Sequence, residues 1–260
     1  MLELILVGIG TGNPDHLTFQ GAAALNAADL ILIPEKGAGK QDLADLRRAI
    51  CAWVVTNPAV RIAGFALPVR DAAIADYAER VDRWHDAIAL VWQKTIALHL
   101  PGGGRVALLV WGDPALYDST LRIAGRLSPP PPVRIIPGIT ALQALTAAHR
   151  IALNQIGAPF TVTTGRRLRD AGFPPGVDTC VVMLDGECSF QGLKDSGLSI
   201  WWGAYLGMPE EILLQGDLPE ITDSILSIRA EARARHGWIM DIYLLRRSLQ
   251  PNCGGAGTTD

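Results

Sequence analysis

The sequence predicts an α/β chain of two domains, a mainly parallel N-terminal sheet with helices and a strand-rich, mixed α/β C-terminal half. Three observations predict it. Leu2–Ile9 (LELILVGI) and Arg105–Trp111 (RVALLVW) are apolar with little alternation, the pattern of strands buried on both faces of a parallel sheet. Strands and helical stretches alternate up to about residue 138, which is the order that βαβ units require. Beyond that point strands dominate. A length of 260 residues suits one large domain or two modest ones.

Each element follows from local pattern. The first strand ends in a glycine-punctuated turn, Gly8–Pro14. A helix over Leu17–Ala28 sets Leu17, Ala24 and Leu25 on one face, and Asp29–Ile33 is a second strand stopped by Pro34. Gln41–Trp53 reads as a helix, Arg61–Leu67 as a weak strand, and Asp71–Leu100 as a long helical stretch broken by Pro101-Gly-Gly-Gly. Ala115–Leu127 is helical, Ser128–Pro132 is a stiff loop, and Val133–Ile136 is a strand ended by Pro137-Gly138. After a helical Thr140–Arg150 come strands at Phe160–Thr164, Cys180–Leu184, Ile200–Tyr205 and Trp238–Leu245, with Thr222–Arg235 the convincing helix among them. The expected domains are residues 1–138 and 139–250, and the tail 251–260 has the composition of a disordered terminus. No internal repeat is evident.

Composition narrows the function. Hydrophobic residues make up 49% and charged residues 19%, which excludes a disordered chain. A net charge of −3 excludes electrostatic binding to nucleic acid or to a membrane surface. No apolar run approaches the length of a membrane span, and the first apolar run lacks the basic start of a leader, so the expected location is the cytoplasm. Cys51, Cys180, Cys188 and Cys253 form no CxxC pair and HExxH is absent, so no metal site is expected.

Three turns at strand ends carry the functional signal. Gly8–Thr18 (GIGTGNPDHLT) could hold an anion or carboxylate on backbone amides, or could be a plain strand-to-helix turn. It fails as a dinucleotide fingerprint because Asn13 stands where the third glycine is needed. Trp111–Tyr117 (WGDPALY) follows a buried strand, where ligands of open α/β sheets bind; Asp113 could serve a site, cap a helix, or both. Ile136–Gln143 (IPGITALQ) again ends a strand and opens a helix. Gly37–Lys40 resembles the end of a phosphate loop, but Pro34 and Gln41 replace required residues, so it reads as a surface loop.

In combination these segments resemble the tetrapyrrole methylase family, whose pattern runs GxGPGxxxxLT, a D-x-[IL] strand, GDPxxY and PG[IV][TS]. Here the matches are Gly8-Ile9-Gly10-Thr11-Gly12 with Leu17-Thr18, Asp29-Leu30, Gly112-Asp113-Pro114-Ala115-Leu116-Tyr117, and Pro137-Gly138-Ile139-Thr140, with Thr11 in place of the usual Pro. The segments TVTTGRRLR (161–169), MLDGECSF (183–190), WWGAYLGMPEE (201–211) and RHGWIMDIYLLRR (235–247) are similar to the branch that methylates precorrin-5 at C1. The resemblance implies a two-domain methylase architecture, S-adenosylmethionine as donor, a tetrapyrrole substrate, loss of an acetyl group as acetate, and a homodimer. The donor shell it implies is Thr11, Trp111, Gly112, Asp113, Leu116, Thr140, Ala141, Leu184, Asp185, Ala204, Tyr205, Trp238, Ile239 and Met240.

A substrate fringed with carboxylates suits arginine forks, and Arg122, Arg166, Arg167 and Arg169 are the candidates, with Lys36 a weaker one. A general base for water attack on the acetyl carbonyl would come from Asp113, Tyr117, Asp185 or Glu187. His16 reads as a cap or surface residue, and most tryptophans as core or cleft wall. The alternatives are another precorrin C-methyltransferase, a diphthine synthase or RNA ribose methylase of the same fold, and an NADP-binding oxidoreductase.

Overall fold

The computed structural model of the chain describes residues 1–35, 42–193 and 197–247. Lys36, the Gly37–Lys40 loop, Cys253 and the tail 251–260 lie outside the described residues. The chain divides into two compact units. The first comprises Met1–Ala144 with two returning segments, Tyr205–Glu211 and His236–Trp238; the second comprises Leu145–Ala204, Ile212–Arg235 and the chain from Ile239. Residue 138, the expected boundary, thus falls inside the first unit. A linear reading has no means to see the returning segments, which are tied in by hydrogen bonds to distant backbone.

The first unit is built on a fully parallel five-stranded sheet of order β3-β2-β4-β1-β5, from β1 (Leu2–Gly8), β2 (Leu30–Glu35), β3 (Arg61–Ala66), β4 (Gly104–Val110) and β5 (Val133–Ile136). Period-two alternation explains the unbroken apolar runs. Leu4, Leu6, Leu30, Leu32, Val106 and Leu108 pack on one face with Ile88 and Trp92 of α3 (Tyr77–His99) and Ile123 of α4 (Thr120–Ala124). Ile5, Val7, Ile31, Ile33, Ala107 and Leu109 pack on the other with Ala24 and Leu25 of α1 (Phe19–Asn26) and Ile50 and Cys51 of α2 (Asp42–Val54). Asp29 of the D-x-[IL] motif accepts the Arg105 N–H at 2.7 Å, which fixes the start of β2 beside β4.

Two helices start later than expected. α3 begins at Tyr77 because Asp76 accepts the Glu79 N–H at 2.7 Å, so the cap sits five residues beyond Asp71. Residues 115–119 form no helix, since Tyr117 takes a left-handed φ of 50° and Asp118 caps the Thr120 N–H.

The second unit carries a mixed sheet of order β6-β7-β10-β8-β9. β6 (Phe160–Thr164) and β7 (Thr179–Met183) are parallel; β10 (Asp241–Arg247), β8 (Leu198–Ala204) and β9 (Ile212–Asp217) pair antiparallel. α5 (Ala141–His149) leads into it, followed by α6 (Gly165–Ala171) and α7 (Leu218–His236). β9 and α6 were not expected. β9 is a half-exposed edge strand and α6 a short charged helix, capped by the Thr164 hydroxyl and ended by Gly172 at φ 73°. Trp238–Met240 precede β10 rather than belonging to it, because Gly237 turns the chain at φ 73° and Asp241 is held by Arg229. Among the described residues no helix is long and apolar enough to cross a membrane.

His85 on α3 is 4% exposed, and its Nε2 has no hydrogen-bond partner among the described residues. Burial holds its pKa below 6.5, and Arg126, Arg122 and Arg70 act in the same direction against Asp82. His16 is lowered likewise, by burial. The folded state resists a proton that the unfolded chain accepts, so stability falls as pH drops through about 6.5 and levels off below the folded pKa. Calorimetry between about pH 7.5 and 5.5 should show a Tm loss that is shallower in His85→Gln than in the parent. Parallel slopes would assign the acid loss to other groups.

Candidate active site

The turns that follow β1, β4 and β5 meet backbone against backbone. A Cβ on Gly8 would lie 2.6 Å from Gly138 N and 2.7 Å from Gly112 O, and one on Gly138 would lie 2.1 Å from Gly112 O. Only glycine permits this approach. Gly112 donates to the Gly10 carbonyl at 2.7 Å, forming an isolated antiparallel bridge beyond the parallel strands. Asp113 fastens the third turn: its Oδ2 accepts the Gly138 N–H at 3.0 Å and its Oδ1 the Ala115 N–H at 2.8 Å. Thr140 and Gln143 then start α5 as a capping box, Gln143 Oε1 accepting the Thr140 N–H at 3.1 Å and Thr140 Oγ1 accepting the Leu142 N–H at 3.2 Å.

A returning segment locks onto the first turn. Thr11 Oγ1 donates to the Leu206 carbonyl at 2.7 Å and lies 2.9 Å from His16 Nδ1. The hydroxyl has one proton and spends it on Leu206, so the network assigns the Nδ1 proton to His16, which donates to Thr11. Tyr205 is buried at φ 52°, and its hydroxyl donates to the Trp238 carbonyl at 2.5 Å. Thr11 and Tyr205 thereby hold backbone with the groups expected to reach a donor.

The expected residues divide between the units. Thr11, Trp111, Gly112, Asp113, Leu116, Tyr117, Thr140, Ala141, Tyr205, Trp238 and Arg122 belong to the first; Leu184, Asp185, Glu187, Ala204, Ile239, Met240, Arg166, Arg167 and Arg169 belong to the second. In the second unit Asp185 is a buried anchor rather than an accessible base. It accepts the Tyr243 hydroxyl at 2.6 Å, the Ser189 N–H at 2.6 Å and the Ser189 hydroxyl at 2.9 Å, which drives the Tyr243 pKa far upward after burial. Glu187 pairs with Arg169 at 2.5 Å on the surface, Arg166 and Arg167 are exposed on α6, and Ala204 is wholly buried. Leu184 is 67% exposed at φ 55°. Left-handed non-glycine backbone is uncommon and concentrates at functional sites; Tyr117, Leu184 and Tyr205 are three of five such residues described.

The donor chemistry of these turns suits an adenosyl sulfonium better than a dinucleotide. The glycine turn does not open directly into a helix: a 3-10 turn at Pro14–His16 intervenes, and Thr18 already accepts the Gly21 N–H at α1. No bare helix N-terminus is left for a pyrophosphate. Backbone groups, an indole and a carboxylate remain.

Sequence reading missed Arg47, which is 9% exposed and lies 4.9 Å over the Trp111 ring. Its signal was present: Ala44, Arg47, Ile50 and Cys51 form the buried stripe of α2. It also missed the lock that His16 forms with Thr11.

A model of the Tetrapyrrole (Corrin/Porphyrin) Methylases matches residues 3–222. The chain belongs to the tetrapyrrole methylase family. It is 50% identical over 251 residues to the precorrin-6A synthase [deacetylating] of a Sinorhizobium species, covering 95% of this chain and 96% of that one. It is similar to the crystal structure of a protein described as cobalamin synthesis related (CobF) from Corynebacterium diphtheriae, with a TM-score of 0.78, 38% identity and coverage of 95% and 99%. The uroporphyrin-III C-methyltransferase of Thermus thermophilus, solved with S-adenosylhomocysteine, shares the fold at a TM-score of 0.58 and 18% identity over 94% and 97% of the two chains.

In this methylase the strand-end junction leaves no space for a methyl group. Gly138→Ala forces Cβ onto the Gly112 carbonyl oxygen and should cost about 3 kcal/mol or more in urea unfolding. Gly186→Ala meets nothing within 4 Å and serves as the control, with an expected change within about 0.5 kcal/mol. Equal stability of the two variants would show that the junction can open.

Proposed function

We propose that this methylase transfers a methyl group from S-adenosylmethionine to C1 of precorrin-5 and releases the acetyl group as acetate, yielding precorrin-6A. The observation that carries this reading is the 50% identity to a precorrin-6A synthase [deacetylating], which extends over 95% of the chain and so through both units. We assign the donor to Trp111, Gly112, Asp113, Leu116, Thr140 and Ala141 around the junction, with Tyr205 and Trp238 from the returning segments. Leu184, Asp185, Ala204, Ile239 and Met240 are carried on the same resemblance, Asp185 as a positioning residue. By family analogy the enzyme is a cytoplasmic homodimer.

The donor supplies an electrophilic methyl on a sulfonium, which the ring carbon freed by acetate loss accepts. The protein's task is mainly alignment, since the leaving group is already cationic. Asp113 serves that task by clamping the Gly112 and Gly138 turns together. Water adds to the acetyl carbonyl, the bond from that carbon to the macrocycle breaks, acetate departs, and the electron pair stays on the ring carbon. We assign proton handling for the water step to Tyr117, which lies beside the Asp113 turn and is 44% exposed.

Simple C-methylation raises product mass by one methylene, whereas exchange of acetyl for methyl removes one carbon and one oxygen net. Mass spectrometry of the product from precorrin-5 and labelled donor in oxygen-18 water should show that net loss, with heavy oxygen in the acetate. A product with both the new methyl and the acetyl group would refute the deacetylating assignment. Tyr117→Phe should lower kcat at least about 100-fold while S-adenosylhomocysteine affinity holds; unchanged kcat would remove Tyr117 from the chemistry.

A further inference from the structure

Two arginines of this protein are equally buried and differ in what holds them. Arg229, 8% exposed, is closed by Asp241: Nε donates to Oδ2 at 2.8 Å and Nη2 to Oδ1 at 3.2 Å. Arg47, 9% exposed, has no such partner. Its Nε donates to the Leu109 carbonyl at 3.2 Å and its Nη1 to the Leu43 carbonyl at 3.1 Å, and no carboxylate among the described residues pairs with it. Asp118 acts on it only at longer range, and burial lowers its pKa to about 10. An enclosed cation answered by two carbonyls and an indole face, with no paired carboxylate, is costly, and the cost falls when an anion arrives.

Arg47 lines a cavity of about 260 Å³ at the carboxyl end of β4, with Phe65, Trp84, Trp92, Trp111 and Ser119 among its walls. That volume is below the roughly 300–1,000 Å³ of sites that enclose a drug-sized ligand, so it holds part of a large molecule or all of a small one. Its walls are aromatic and aliphatic apart from Arg47, Asp118 and two hydroxyls, which suits an organic acid with an apolar stem rather than a phosphate. Arg70 stacks on Trp84 with its guanidinium 4.3 Å from the ring, adding positive charge at the cavity wall. Trp111 directly precedes the Gly112–Asp113 turn, so an arm held in the cavity would tether its parent molecule beside the junction.

We propose that this cavity receives one carboxylate arm of the tetrapyrrole, that Arg47 pairs with the carboxylate, and that the tryptophans pack on its stem. Arg47 is then a specificity-determining residue that sets which arm lies beside the reacting carbon. The inference rests on the tetrapyrrole reading above.

Uroporphyrin III, its octamethyl ester and S-adenosylhomocysteine are the probes, followed by tryptophan fluorescence and calorimetry. Arg47→Met should weaken uroporphyrin III at least about tenfold, the loss of one charge-assisted pair, and leave S-adenosylhomocysteine binding unchanged. The ester should bind the parent and Arg47→Met alike. Because Arg47→Met also removes two backbone contacts, Ser119→Phe is the second variant. It fills part of the cavity while leaving the Arg47 guanidinium and its backbone bonds in place, at a position whose side chain makes no capping bond, and should weaken uroporphyrin III to a similar degree. Uroporphyrin III binding to both folded variants as it binds the parent overturns the proposal and leaves the methylase reading intact. Equal loss of acid and ester in Arg47→Met also overturns it, since Arg47 would then act by packing. A parent protein that binds S-adenosylhomocysteine but no porphyrin overturns both readings.

Discussion

The approach of Gly8, Gly112 and Gly138 constrains most of what surrounds it. β4, β1 and β5 are neighbours, so their carboxyl ends lie one strand spacing apart, about 4.8 Å. Turns leaving such ends diverge if they carry side chains. Here they touch through backbone, are bridged by Gly10 and Gly112, and are clamped by Asp113. Segments more than a hundred residues apart in the chain thereby reach one edge of one sheet, the edge at which open α/β proteins bind ligands. The Leu206 carbonyl, taken up by Thr11, brings chain from beyond β8 to the same turn.

That dependence explains what the sequence could and could not reveal. β1 and β4 were legible because burial on both faces removes alternation, and the three turns because glycine and proline mark strand ends. α3 started late because Asp76-x-x-Glu79 is a cap that helical periodicity alone overlooks. β9 carries Gln215 and Gly216 and α6 carries four charged residues, so neither has the apolar content by which short elements are recognised. Residue types at the site were legible, but their commitments were not. Whether Asp185 is an exposed base or the buried acceptor of the Tyr243 hydroxyl depends on a residue brought to it only by the β7–β10 pairing.

Arg47 illustrates the opposite case, where a local signal existed and was outweighed. An arginine in a helix ordinarily snorkels to water. Its place in the stripe of Ala44, Ile50 and Cys51 marks it as buried, but only when the stripe is counted before the charge. A buried arginine then poses a question that geometry answers case by case. Arg229 is answered by Asp241 and joins the fabric of the second unit; Arg47 is answered by two carbonyls and an indole face.

The same distinction orders the carboxylates. Asp29, Asp76, Asp113, Asp118 and Asp185 all accept backbone N–H groups, and each fixes the start of a strand, a helix or a turn. A methyltransferase whose leaving group already carries positive charge depends strongly on rigid placement, because an error of an ångström in alignment can cost about 100-fold in rate. Asp113 used as a structural acceptor at the junction, and Arg47 left without a paired carboxylate, are the two halves of one arrangement. Asp113 is committed to backbone beside the cavity, and in the proposed arrangement an acidic arm of the substrate supplies the counter-charge that Arg47 lacks.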